Sequence, residues 1–113
     1  MVNSANVTAL ADFIENNPTR SFNMKDWDHC IGGYLHAMQT DSWSMGFHDI
    51  SHASNSLANF LGIELAEAKK VIMPTSPKVV PGFTRAMAVD MLRRLSVTGR
   101  TEWYAPCYFD QAA

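Results

Sequence analysis

His48 and His52 stand four positions apart, with Asp49 directly after the first, and this spacing is typical of a metal motif. On a helix such a pair can bind one zinc ion, and an acidic residue at that position recurs in zinc proteases. Here the acid is the shorter Asp, and the sequence places no third ligand beside the pair. Since a helix turns by about 100° per residue, both histidines would point away from Ile50, which belongs to an apolar face. We predict a polar helix face, with no metal and no cofactor.

Cys30 is the candidate nucleophile, with His29 or His36 as its base. Adjacent helical residues point about 100° apart, and His36 lies six positions further on, so neither imidazole faces the thiol. The neighbours Trp27 and Tyr34 favour an inert buried thiol, because a reactive one needs an electropositive, accessible setting. We predict no catalytic residue and no enzymatic activity. Cys30 and His36 are also candidates for completing a zinc site, so a His/Cys zinc-binding protein stays open as an alternative.

A small residue four positions before Gly62, followed by a second apolar stripe, matches the pattern of a helix-turn-helix. The charged residues of the candidate recognition helix are, in order, Glu64, Glu67, Lys69 and Lys70. Phosphate contacts dominate affinity for DNA, so a helix that enters the groove with two carboxylates is at a disadvantage. The net charge of −2, from nine basic and eleven acidic residues, also lacks the footprint of a nucleic-acid binder. Nucleic acid is not the predicted partner, and a helix-turn-helix DNA-binding regulator stays an alternative.

Apolar spacing predicts five helices, at about residues 6–16, 26–39, 49–61, 64–72 and 85–97. Capping residues agree with these bounds, since Thr84 is a good N-cap and Gly62 and Gly99 stand where C′ glycines end helices. Residues 22–24 and 101–104 are candidates for one very short two-stranded β pairing. The predicted fold is an all-α bundle in a single domain, residues 1–113, with its core at about residues 6–104 and a loose tail at 105–113.

Gly32 and Gly33 lie inside the second predicted helix. Each glycine costs a helix about 1 kcal/mol relative to Ala. Such a pair is tolerated where another backbone must pass close by, so we predict tight packing there.

Four arginines gather on and after the last predicted helix: Arg85, Arg93, Arg94 and Arg100. Long cationic side chains usually lie over apolar neighbours with their charge in water. We predict a solvated face, with a patch for an acidic partner as the alternative.

The composition indicates an ordinary globular protein. Of 113 residues, 47% are hydrophobic and 18% are charged, which is unlike a disordered chain. No apolar run is long enough for a membrane span, and residues 1–6 have neither a basic region nor an apolar signal core. We therefore expect a cytoplasmic protein without membrane contact. The two cysteines, Cys30 and Cys107, are too few for a disulfide framework and are expected as reduced thiols.

A series of short motifs follows one order along the chain. The motifs are Phe22-Asn23-Met24, Trp27, Cys30-Ile31-Gly32-Gly33, Leu61-Gly62-Ile63, Ala66-Glu67-Ala68, Ala88-Val89, Leu92, Leu95, Thr98-Gly99 and Trp103. The series resembles a family of small, mostly uncharacterised bacterial and phage proteins with a Phe-Asp/Asn-Met, Cys-Ile-Ala-Gly, Leu-Gly-Leu and Thr-Gly-x-x-x-Trp pattern. This sequence has Gly-Gly in place of Ala-Gly and lacks an extra cysteine near the Trp. The resemblance covers about residues 9–104 and implies a compact helical domain, without an established activity.

The predicted function is a non-enzymatic protein-binding module. The resemblance to phage proteins implies one specific version: an inhibitor or modulator of a host complex, of the anti-CRISPR type, carried by a phage or mobile element. The predicted protein-contact residues are Trp43, Met45 and Phe47, apolar side chains in a polar loop. Trp and Met are enriched at interfaces, and one Trp anchor can dominate binding. The competing interpretation is that these side chains cover the core.

Overall fold

The structure is a computed structural model that describes residues 2–22, 30–41, 50–72 and 84–103, without the side chains of residues 50–52. Within these ranges the chain forms five helices: α1 (Ser4–Glu15), α2 (Ile31–Thr40), α3 (Ile50–Leu61), α4 (Leu65–Ile72) and α5 (Arg85–Thr98). The predicted all-α bundle is confirmed. No helix in the described ranges is long and apolar enough to cross a membrane.

The helices pack as two pairs that share a core. α5 lies along α1 and α3 lies along α4, while α1 and α2 each contact members of both pairs. The predicted apolar stripes supply this core, because residues three and four positions apart share one face of a helix. The largest fully buried side chains are Tyr34, Leu10, Ile14, Ile31, Leu35, Leu57, Leu61, Met87, Met91, Leu92, Leu95 and Val7.

α1 begins two residues earlier than predicted. Asn3 is its N-cap, and the Asn3 side chain accepts a hydrogen bond from the backbone N–H of Asn6 at 3.0 Å. The side-chain amide of Asn6 donates to the carbonyl oxygen of Phe60 at 2.8 Å. The backbone N–H of Asn3 also donates to the carbonyl oxygen of Leu61 at 2.8 Å. The start of α1 therefore satisfies carbonyls that the end of α3 leaves without helical partners.

α2 begins later than predicted. Cys30 is its N-cap, with extended backbone angles (φ −88°, ψ 178°), so the helix starts at Ile31. Residues 23–29 lie outside the described residues. Gly32 and Gly33 are both buried, and the helix ends at Asp41 in the left-handed conformation (φ 58°).

The segment after α5 is not the strand that the sequence suggested. Neither Phe22 nor residues 101–103 form a β-strand. Residues 23, 24 and 104 lie outside the described ranges. The backbone N–H of Thr101 donates to the Glu67 carboxylate at 2.8 Å, and the Trp103 indole N–H donates to the carbonyl oxygen of Lys70 at 3.1 Å. This segment is therefore held against α4 by side chains and carbonyls rather than by a β ladder.

Candidate functional site

The predicted contact residues Trp43, Met45 and Phe47 lie outside the described residues, and their role stays a prediction. The same holds for His48 and for the side chain of His52. Within the described ranges, no three His, Cys, Asp or Glu side chains form a group that could hold a metal ion. The absence of a metal thus also stays a prediction for the chain as a whole.

Cys30 has the burial that the sequence predicted, but not the position within the helix. Its side chain is 3% exposed, and its thiol is reduced. The Cys30 carbonyl oxygen accepts the backbone N–H of Tyr34 at 3.0 Å, as the first hydrogen bond of α2. At this burial the thiol is largely inaccessible to solvent, whereas a reactive thiol needs an accessible setting.

Arg85 does not belong to a solvated face, so the prediction for this member of the arginine group is wrong. Its Nη1 donates to the carbonyl oxygen of Ile14 at 2.7 Å, and its Nη2 donates to the carbonyl oxygen of Arg20. The guanidinium carbon lies 5.4 Å from the ring centroid of Tyr34 and 5.9 Å from that of Phe22. We call this arrangement the Arg85 anchor. A cation at the carboxyl end of α1 is also favoured by the helix dipole.

The Tyr34 side chain completes the Arg85 anchor. It is fully buried, and its hydroxyl lies 3.0 Å from the carbonyl oxygen of Arg20 and 2.9 Å from that of Ser21. The rings of Phe13 and Phe22 contact Tyr34 at centroid distances of 6.3 and 5.7 Å. The segment that follows α1, up to residue 22, is therefore held by the Tyr34 side chain and the Arg85 guanidinium.

Arg93 and Arg94 are half in water and form ion pairs. Arg93 contacts Asp12 at 2.9 Å and Glu15 at 3.3 Å, which joins α5 to α1. The hydrogen bond that Arg93 donates to Asp12, assisted by the charge of Glu15, raises the pKa of the Arg93 guanidinium. Arg94 pairs with Asp90 one turn earlier at 2.9 Å. These two side chains stabilise the bundle's own helices, while Arg100, like Arg93, is exposed.

A groove of about 610 Å³ lies between the start of α4 and the end of α5. We call it the α4–α5 groove. Its lining residues are Val2, Ser4, Gly62, Ile63, Glu64, Glu67, Ser96, Val97, Thr98 and Gly99. Three elements meet there because the Ser4 hydroxyl donates to the carbonyl oxygen of Ser96 at 3.0 Å, and because Gly62 turns the chain between α3 and α4.

Of the two most exposed large apolar side chains of the described residues, Val97 lines the groove and Leu65 does not. Val97 is 85% exposed, and Leu65, directly after Glu64, is 40% exposed. Sequence reasoning missed Val97 as a site residue. The signal was available, because Val97 lies two positions after Leu95 and therefore about 200° away from the buried stripe of α5.

The charged side chains among the described lining residues are both acidic. Glu67 accepts the Lys70 ammonium at 2.7 Å on one oxygen and the backbone N–H of Thr101 at 2.8 Å on the other. The hydrogen bond from Lys70, followed by that from Thr101, lowers the pKa of the Glu67 carboxyl below its ordinary value of 4.5. Glu64, at the start of α4, is exposed.

The predicted helix–Gly62–helix corner is present. Gly62 adopts φ 68°, and the backbone N–H groups of Gly62 and Ile63 both donate to the carbonyl oxygen of Ala58, at 3.0 and 3.1 Å. This is the glycine-ended turn that the sequence predicted. On α4, which follows this turn, the Glu67 carboxylate is bonded to Thr101 and Lys70, and the helix-turn-helix alternative stays a prediction.

Comparison of the chain with protein-family models, with curated proteins and with solved structures finds no match.

Proposed function

We propose that this chain is a non-enzymatic protein-binding module. The observation that carries the proposal is the exposure of Val97 at the rim of the α4–α5 groove, beside Val2 and Ile63. A single exposed apolar side chain is common on any protein surface, but one that lies beside a groove with further apolar lining offers area that a partner can bury. The burial of Cys30 supports a role without covalent chemistry.

Trp43, Met45 and Phe47 remain the second contact surface of the proposal. An interface Trp43 is largely exposed in the isolated protein, so Trp43→Ala leaves folding intact and weakens partner capture. If Trp43 instead covers the core, the same change costs ~3–5 kcal/mol of stability. Thermal unfolding of Trp43→Ala decides between the two, and a large loss of stability contradicts the interface.

The specific version of the proposal is an inhibitor or modulator of a host complex, encoded by a phage or mobile element and of the anti-CRISPR type. Its support is the resemblance of about residues 9–104 to small bacterial and phage proteins. Inhibitors of this kind work by occupying a surface of a larger complex, for which a small rigid bundle with an exposed apolar groove is suited.

The test is capture of the partner from the cells that naturally contain the protein. The tagged chain, Val97→Lys and Ala9→Lys are purified in parallel, and the proteins that accompany each are identified. Ala9 is an exposed position on α1 outside the groove, so its Lys variant controls for added charge. We expect a partner with the wild type and with Ala9→Lys, and its loss with Val97→Lys. The same recovery with all three chains contradicts a role for the groove.

A helix-turn-helix regulator is the second candidate, because the Gly62 corner has the glycine turn that such motifs use. Lys69 and Lys70 are its phosphate-binding candidates on α4, and both are exposed. A sequence-specific mobility shift at physiological salt that disappears when both lysines are changed to Ala would rank this function first.

A His/Cys zinc-binding protein is the third candidate function. Elemental analysis of protein purified without an affinity tag tests it, and one zinc per chain that is lost in His52→Ala would establish a metal site.

A further inference from the structure

The electrostatics of the α4–α5 groove select the chemistry of its partner. Glu64 and Glu67 are the charged side chains among the described residues that line it. The last turn of α5 ends at Gly99 in the same lining, and the carboxyl end of a helix carries a partial negative charge. The amino end of α4 opposes this with a partial positive charge of about half a unit, which is less than the charge of one carboxylate.

Two cations near the groove, Lys70 and Arg100, offset part of the negative charge of Glu64 and Glu67. Lys70 is bonded to Glu67, and Arg100 lies with it in a neighbouring depression of about 510 Å³ that shares Glu64 and Glu67 with the groove. Neither cation is among the residues that line the groove itself. Glu64 is the more exposed of the two groove carboxylates, and Glu102 adds a third to the depression, so the carboxylates there outnumber the two cations.

The apolar part of the groove lies next to these charges. Val97 presents its isopropyl group at 85% exposure, with Val2 and Ile63 half-buried in the same lining. A partner that fits both parts has an aliphatic or aromatic side chain for Val97 and a cationic one for Glu64. Complementary charge of this kind fixes the register of the partner and raises the rate of association.

We propose that the α4–α5 groove binds a basic, partly apolar segment of a partner protein, with a Lys or Arg at Glu64 and an apolar side chain against Val97. The inference rests on the proposed protein-binding function and specifies the partner. Nucleic acid and acidic peptides are disfavoured by the same carboxylates. A second copy of this chain is disfavoured as well, because a two-fold contact through the groove would place the Glu64 of one copy near that of the other.

The test uses the full chain and a library of short random-sequence peptides. Peptides selected on the wild type are sequenced, and the dissociation constants of the enriched ones are measured by fluorescence anisotropy. We expect enriched sequences with net positive charge and at least one apolar side chain beside the Lys or Arg. Glu64→Gln is expected to weaken their binding about threefold at low salt, and Val97→Ala about tenfold.

Salt and charge controls separate the two contacts. The Glu64→Gln effect should disappear between ionic strengths of about 0.01 and 1 M, since the screening length falls from roughly 30 to 3 Å. The Val97→Ala effect should persist. Ala9→Lys adds a cation outside the groove and should bind the peptides like the wild type.

Each opposite outcome overturns the inference. Neutral or acidic enriched peptides that Val97→Ala weakens would show a protein-binding groove with a different occupant, so the proposed function would survive without this inference. A dimer that Val97→Lys dissociates would assign the groove to a second copy. No enriched peptide, together with no groove-dependent partner in native capture, would remove both proposals.

Discussion

The two ends of α5 differ in the side chains that they place at the surface of the bundle and in what those side chains contact. At the amino end, Arg85 is enclosed by the rings of Tyr34 and Phe22 and by carbonyl oxygens of Ile14 and Arg20. At the carboxyl end, Val97 lies in the open beside a groove. A cation is thus partly buried among aromatic rings at one end, and an apolar side chain is exposed at the other.

This contrast separates folding from recognition within one helix. At the amino end, two guanidinium nitrogens of Arg85 donate to the carbonyl oxygens of Ile14 and Arg20, at the carboxyl end of α1 and in the segment that follows it. The carboxyl end holds the bundle through Ser96 and Leu95, while Val97 contributes little to the core. Changes at the first end should therefore lower stability, and changes at the second should leave it intact.

The largest effect is expected at Tyr34. Tyr34→Ala removes a fully buried ring that contacts Phe13, Phe22 and Arg85, and should lower the free energy of unfolding by ~3–5 kcal/mol. Chemical denaturation measures this loss. Tyr34→Phe, which keeps the ring and removes the hydroxyl, should cost about 1–2 kcal/mol. Equal losses for the two variants would mean that the ring itself does not hold the anchor.

Arg85→Met should have the next largest effect. It keeps an apolar stem between the rings but leaves the carbonyl oxygens of Ile14 and Arg20 without the guanidinium donor, at a cost of about 1.5–3 kcal/mol. Arg85→Lys is the matched control, because a single ammonium cannot reproduce the planar two-sided contact. We expect it to recover only part of the loss in a thermal melt. Full recovery by Lys would reduce the anchor to a charge effect.

A smaller, pH-dependent effect is expected at Glu67, which lies on α4 and lines the groove at the carboxyl end of α5. Its folded pKa is lowered by Lys70 and Thr101, so the charged carboxylate stabilises the fold above pH 4.5 and the gain is lost as the pH falls through the folded value. The melting temperature of the wild type should drop relative to that of Glu67→Gln over this range. Glutamine keeps an acceptor for Thr101 and does not titrate. Parallel pH profiles would contradict the contribution of the Glu67 charge.

The smallest effect on stability should be that of Val97→Ala. The side chain is 85% exposed, so the change is expected to stay within about 0.5 kcal/mol of the wild type in chemical denaturation. Its proposed effect is on binding alone. A loss of stability as large as that of Arg85→Met would show that Val97 belongs to the core and would erase the contrast between the two ends.

The helices were largely predictable because their signals are local. Thr84 accepts the backbone N–H of Met87, Gly99 takes the left-handed conformation, and the stripe between them is buried as its spacing predicts. The start of α1 was missed because Asn3, Ser4 and Asn6 can each cap a helix. Which of the three caps the helix depends on the hydrogen bond between Asn6 and Phe60, 54 positions further on. A contact over that separation cannot be read from a local sequence pattern.

The site residues were less predictable for the same reason. Arg85 has the sequence context of a surface cation, and its enclosure requires carbonyls that are 65 and 71 positions away to converge on it. The position of Val97 outside the buried stripe of α5 could be predicted from the sequence. The groove beside Val97 depends on where the start of α4 lies relative to the end of α5. The helical periodicity of each element carries no information about that arrangement.

The bonds that seat α5 on α1 also set an order of events during synthesis. They join Arg85 to Ile14, Arg93 to Asp12 and Ser4 to Ser96, pairs that are 71, 81 and 92 positions apart. α1 leaves the ribosome well before its partner. The chain must lose the entropy of closing such long loops before the contacts between α1 and α5 can stabilise the fold. Until α5 emerges, the apolar face of α1 lacks its main cover and is open to chaperones. We therefore expect the bundle to close late, in a single step, once the last turn of α5 has left the exit tunnel.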